Sequence, residues 1–256
     1  MRVGRLPAMN IEEPKIPENV KDYTENTYDN RYYNRYLFAM GVANEMVRCH
    51  LHSRDMIEEI KKGVVSEAGS ELDIDFYHID SGEKIKSVLL EDINKFLTEV
   101  KPTFFDILDH GTVYDIAGNL GFEFDARVPW MLYSVACDSF DFTNIYSDKQ
   151  NFYQNLLFSD SSRCFAFIGN SDKSVTFPCK DTLTDSFSFG CSHEFHTEFI
   201  RQLIRKIPES ERTIGNLLLL SKNNRFYLGG GREDFEISFH SLNLCGDPSI
   251  ILKRSR

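Results

Sequence analysis

Two stretches decide the fold: Thr103-Phe-Phe-Asp-Ile-Leu108, which runs into Asp109-His110-Gly111, and Pro129-Trp-Met-Leu-Tyr-Ser-Val-Ala136, which runs into Cys137-Asp138-Ser139. Each is a short, mostly apolar run of strand length, the pattern of a strand covered on both faces in a parallel sheet. Outward from them the alternation of element types continues. Tyr36 to Ala43 reads as another buried strand, Leu72 to Ile79 as a half-buried one, and Cys164 to Ile168 as a fifth. Between them, Asp55 to Lys62 reads as a helix stopped by Gly63, and Val88 to Val100 carries Leu89, Ile93, Phe96, Leu97 and Val100 at helical spacing before Pro102. Tyr146 to Phe158, Glu194 to Ile207 and Thr213 to Leu220 are further helices, and Ser249 to Leu252 a short terminal strand. Strands alternating with helices imply right-handed crossovers and a mostly parallel sheet with helices on both faces. An initial strand, Arg2 to Leu6, and a tyrosine-rich helix and linker over Asn10 to Asn34 precede this unit.

Composition narrows the function. The 256 residues are 41% hydrophobic and 13% aromatic, enough for a real core. A net charge of -10 argues against nucleic-acid binding, which needs a basic face; Lys61-Lys62 and Lys253-Arg254 are too small to supply one. No run of 18 apolar residues occurs, so no membrane span is expected. The opening Met1-Arg2-Val3-Gly4-Arg5 lacks the apolar stretch of a signal peptide, which fits a cytoplasmic protein and equally a chain already trimmed. Six scattered cysteines without a Cys-x-x-Cys pair point neither to a disulfide scaffold nor to a zinc ribbon, and buried thiols are the ordinary reading for most of them.

Cys137 differs from the other thiols by its position. In open parallel sheets, ligands bind outside the carboxyl ends of the strands. If the strands ending before His110 and Cys137 are adjacent and parallel, imidazole and thiol emerge at one edge. The sequence between them is about one crossover unit long. A thiol needs such a base, because the thiolate is the nucleophile. Gly111 would let a substrate backbone approach and leave its N–H aimed at an oxyanion. The alternative for Cys137 is a small structural hydrophobe at the end of a strand.

The order strand-His-Gly, strand-Cys and a distal Gly-Asp-Pro-Ser resembles the gingipain family of caspase-like cysteine peptidases. Val135-Ala136-Cys137-Asp138-Ser139-Phe140-Asp141-Phe142 resembles that family's nucleophile strand and following loop, and Phe165-Ala166-Phe167-Ile168-Gly169 its next strand. Thr213-Ile214-Gly215-Asn216 looks like the start of its penultimate helix, and Leu244-Cys245-Gly246-Asp247-Pro248-Ser249-Ile250-Ile251-Leu252 like its closing strand. Val3-Gly4-Arg5-Leu6-Pro7-Ala8 resembles the beginning of its catalytic subdomain. The chain departs from the family in having Ser139-Phe140 where a glycine usually follows the nucleophile, and in starting near the Gly-Arg segment.

The resemblance implies a caspase-like three-layer α/β sandwich, with residues 1–34 joining a preceding subdomain and 35–256 forming the catalytic domain. It implies a cysteine endopeptidase acting on protein or peptide through Cys137 and His110 and a thioester, with the N–H groups of Gly111 and Cys137 on the oxyanion. A secreted or cell-surface setting is the family's. Glu45 falls near a glutamate that orients the histidine, or is a solvated loop charge. Asp55 falls near the aspartate that receives a basic side chain before the scissile bond, or is a helix N-cap. The other function class is a catalytically silent caspase-like module that binds partners or serves as a scaffold.

Neither metal nor cofactor is expected. In Cys191-Ser192-His193-Glu194-Phe195-His196 the histidines are three apart, not the four of a zinc-peptidase helix, and no third ligand is obvious; Ser192 reads as a helix N-cap. Gly229-Gly230-Gly231 has no Gly-Lys-Ser/Thr after it and reads as a turn. Leu217 to Leu220 reads as core.

Overall fold

The computed structural model describes residues 35–41, 62, 73–79, 94–108, 115–116, 119–120, 124–126, 128–140, 152–159, 161–172, 179–180, 187–188, 191–205, 207–229 and 233–252. Its centre is a six-stranded sheet built from β1 (Arg35–Gly41), β2 (Asp73–Ile79), β3 (Phe104–Leu108), β6 (Trp130–Ser134), β7 (Cys164–Asn170) and β10 (Leu242–Gly246). Their order is β10-β7-β6-β3-β1-β2. Every pairing is parallel except that of β10 with β7. Two small antiparallel pairs, β4 (Asp115–Ile116) with β5 (Asn119–Leu120) and β8 (Cys179–Lys180) with β9 (Phe187–Ser188), stand apart from this sheet.

The central strands are apolar on both faces because both faces are covered. All five residues of β6 and all seven of β7 are buried. On one face Phe105, Ile107, Trp130, Leu132 and Phe167 pack with Leu97, from a π-helical turn over Phe96–Val100, and with α1 (Phe152–Phe158). On the other, Phe104, Met131, Tyr133 and Ile168 pack against α2 (Cys191–Ile204), α3 (Ile214–Gly229) and α4 (Glu233–Ser241). The result is a three-layer α/β sandwich with helices on both faces, as the alternation of runs predicts.

α2 buries Phe195, Phe199, Ile200, Leu203 and Ile204 along one stripe. It ends where Arg212 folds back, donating to the carbonyls of Leu203 at 2.9 Å, Arg205 at 3.0 Å and Leu252 at 2.8 Å. A buried guanidinium on the last carbonyls satisfies acceptors that a helix C-terminus leaves open.

Several elements differ from the sequence reading. α2 begins at Cys191, so Ser192 lies inside the helix and is not its cap; its hydroxyl donates to Ser238 Oγ of α4 at 3.1 Å. α3 runs on to Gly229 instead of stopping at Leu220, because the polar segment after it is held by tertiary packing that outweighs its weak propensity. Of its leucines, Leu217 and Leu218 are buried, but Leu219 is 49% exposed. α4 has no counterpart in the predicted elements. The closing strand is β10, ahead of Pro248, and Ile251 makes only a single bridge, to Thr213. Pro248 cannot donate to a ladder, and Gly246, at φ 133°, takes a backbone angle that glycine alone tolerates well. Gly215 and Pro248 belong to one contact: a Cβ on Gly215 would lie 2.6 Å from Pro248 Cβ, and Gly215 N–H donates to Pro248 O at 3.0 Å.

Candidate active site

The sheet's register aligns the carboxyl ends of its parallel strands. Met40 pairs with Leu108, Ile107 with Ser134, and Tyr133 with Ile168. β1, β3, β6 and β7 therefore finish within a few residues of one another, along one edge. β3 and β6 are adjacent and parallel, so their carboxyl ends lie side by side at that edge. His110 and Gly111 come two and three positions after β3, and Glu45 four after β1; these three and Asp55 lie outside the described residues.

Cys137 is described in detail. The chain leaves β6 still bonded to β3, with Val135 N–H donating to Ile107 O at 3.1 Å. It then enters a turn over Cys137–Phe140. Ala136 before this turn and Ser139 and Phe140 within it are fully buried, whereas Cys137 and Asp138 are half-buried. Asp138 has φ 49°, the left-handed conformation that lets so tight a turn reverse away from the sheet.

Both ends of the turn are tied to the end of β7. Asp138 N–H donates to Asp172 O at 3.1 Å and Phe140 N–H to Asn170 O at 2.9 Å. The Phe140 ring anchors the far side, edge-on to Tyr153 at 5.0 Å and to Phe167 at 5.9 Å. A half-buried cysteine is thus carried on a turn whose flanks are packed into the core. A site for covalent chemistry needs this combination of rigidity and access.

The other described thiols contrast with it. Cys164 and Cys245 are buried and in no disulfide. Burial pushes both thiols well above the usual range, and for Cys245 the neighbouring Cys164 adds to it. Such thiols stay protonated and inert near neutral pH.

A second polar group appears where the sequence shows only an apolar strand. Asp106, in the middle of β3, meets His196 of α2, with Oδ2 2.7 Å from Nε2 and both side chains 0% exposed. The Tyr133 ring stands edge-on to the imidazole at 4.8 Å. Burial raises the Asp106 carboxyl above its ordinary range, and His196 offsets part of that rise. Burial, and then the Asp106 charge, raise the Tyr133 phenol. No substrate reaches an imidazole with no exposed surface, so this pair is part of the core and does not compete with His110. In sequence, Asp106 is the one polar residue inside an apolar run, and that was the available signal; its partner 90 positions away was not readable.

The sequence matches no protein-family profile and no curated protein. Solved structures do match the fold. A complex of the pro- and mature domains of Porphyromonas gingivalis RgpB superposes with a TM-score of 0.64 at 13% identity, over 91% of this chain and 54% of that one. The arginine-specific cysteine proteinase gingipain R (RgpB) gives 0.63 at 12% identity, over 91% and 52%. A third structure, described as a protease, gives 0.57 at 13% identity, over 94% and 53%. The chain shares the caspase-like α/β fold of these proteins and spans about half their length.

Proposed function

We propose that residues 35–256 form the catalytic domain of a gingipain-like cysteine endopeptidase, with residues 1–34 joining it to a preceding subdomain. The observation that carries this reading is the half-buried Cys137 on a core-anchored turn at the carboxyl end of β6, beside parallel β3, whose chain continues directly to His110. Fold similarity to proteinases supports the same class.

In this mechanism the Cys137 thiolate attacks the scissile carbonyl carbon, and the π pair moves to oxygen. The N–H groups of Cys137 and Gly111 hold that oxyanion. Its collapse expels the amine, to which His110 gives a proton, and leaves a thioester. Water, deprotonated by His110, attacks the thioester; the acid departs and the thiol is restored. Glu45 orients the His110 ring. Asp55 receives an arginine or lysine side chain before the scissile bond, as a carboxylate pairs well with guanidinium. No step calls for a cofactor.

Labelling with a panel of peptide acyloxymethyl ketones, read by intact mass and peptide mapping, tests this directly. The expected result is a single adduct, at Cys137, fastest with basic peptides. Iodoacetamide should alkylate Cys137 well ahead of every other thiol near neutral pH. His110→Ala should slow that alkylation and abolish peptide cleavage. Equal labelling of several cysteines, or wild-type turnover in His110→Ala, would overturn the dyad. A folded chain with no label at Cys137 and no turnover would point instead to a silent, partner-binding module. Preference for acidic or apolar peptides would remove Asp55 from the pocket and leave the dyad standing.

A further inference from the structure

We infer that Ser139 and Asn170 are positioning residues that aim and polarise the Cys137 N–H toward the oxyanion, a role that rests on the peptidase reading above. The Ala136–Cys137 peptide is trans, so its C=O and N–H point in opposite directions within one plane. Whatever fixes the carbonyl therefore fixes the direction of the amide hydrogen. Two side chains from different elements hold that carbonyl. Ser139 Oγ donates to Ala136 O at 3.1 Å, and Asn170 Nδ2 donates to it at 3.4 Å.

Asn170 is fully buried and is clamped in turn. Its Oδ1 accepts from Ser241 Oγ at 3.3 Å, at the junction of α4 and β10. The Ser241 carbonyl accepts from Ser171 N–H at 2.8 Å and from Asn243 Nδ2 at 2.6 Å. Asn170 can orient the carbonyl because its amide has one end on Ala136 and the other on a third element. Hydrogen bonds to a carbonyl also polarise its amide and strengthen the N–H as a donor, an effect that grows in a buried setting.

Gly169 supplies the space. A Cβ there would stand 2.9 Å from Ser139 Oγ and 2.5 Å from Phe167 Cζ, so a larger residue would push the hydroxyl off the carbonyl. Ser139, which departs from the glycine usual after the family's nucleophile, thereby has a defined task.

The test separates the oxyanion donor from the nucleophile. Iodoacetamide alkylation needs the thiolate and no oxyanion. Peptide cleavage, and inhibition by a peptide aldehyde whose carbonyl carbon bonds to sulfur as its oxygen takes the negative charge, need both. Ser139→Ala removes a single atom, and its folding is checked by thermal melting; Asn170→Ala is the second variant. Each should lower kcat about 10-fold with KM nearly unchanged and weaken aldehyde inhibition about 10-fold, less than the loss of a direct oxyanion donor. Alkylation of Cys137 should stay within about twofold of wild type, since the thiolate is untouched. If the Asn170 variant does not fold, Ser139→Ala decides alone. Unchanged kcat, or alkylation that falls in step with turnover, would overturn the proposal and leave the peptidase reading intact. A folded wild type that neither cleaves nor is inhibited would overturn the peptidase reading and this role with it.

Discussion

Asp106 and His196 show how a single buried pair joins sheet to helix at a cost in solvation. Removing a charge from water costs several kcal/mol, which the attraction of a close partner offsets only in part. Their 2.7 Å contact therefore defines where α2 sits on β3 more than it stabilises the fold. Asp106→Val alone should destabilise the protein by about 3 kcal/mol or more, because His196 loses its buried partner. Asp106→Val combined with His196→Val fills nearly the same space without polar groups, and should recover more than half of that loss. Urea unfolding of both single variants and the double variant checks this. A double variant whose loss equals the sum of the single losses would show that the two side chains are not coupled.

Lys222 ties α3 to β10 at the level of elements. Its Nζ donates to Leu242 O at 2.8 Å and stands 4.6 Å from the centroid of the Phe239 ring of α4. Burial lowers its pKa from 10.5 to about 8. Between those values the unfolded chain holds a proton that the folded chain has released. The favourable contribution is present above 10.5 and is lost as pH falls to about 8, by on the order of 3 kcal/mol across the window. Lys222→Met has no such titration. The unfolding free energy of wild type relative to this variant should therefore rise between pH 8 and 10.5. A pH-independent difference over that range would show that the ammonium stays solvated. The polar stretch Ser221-Lys222-Asn223-Asn224 has little helical character of its own, which is why α3 is longer than its sequence suggests.

For the whole molecule, the topology makes a geometric prediction about the proposed dyad. Adjacent parallel strands lie about 4.8 Å apart, and the two candidate residues follow neighbouring strands at the same edge. An experimental structure should therefore place Cys137 Sγ and a His110 ring nitrogen within about 3.5–6 Å, since dyads without substrate are often looser than a hydrogen bond. The two groups on opposite faces of the sheet would be fatal to the peptidase reading. Among the described residues no helix is long and apolar enough to cross a membrane.

The sequence by itself determined the strands β1, β2, β3, β6 and β7, the helix α1 between β6 and β7, and the three-layer class. Strands covered on both faces need apolar runs and a half-buried strand such as β2 needs alternation, and both patterns are local properties of the chain. It also marked Cys137 as a candidate, because a cysteine just past an apolar run is visible without a structure. Only the tertiary structure decided that β3 and β6 are neighbours, since pairing joins segments far apart in sequence. Only it joined Asp106 to His196, Gly215 to Pro248, and Asn170 to Ala136 and Ser241. Each of these depends on where a distant backbone lies, and no local pattern of hydrophobicity or turn chemistry records that. α4 and β10 emerged the same way. Their mixed polar composition is weakly periodic, and burial against α2 and β7 selects the conformation that their own sequence leaves undecided.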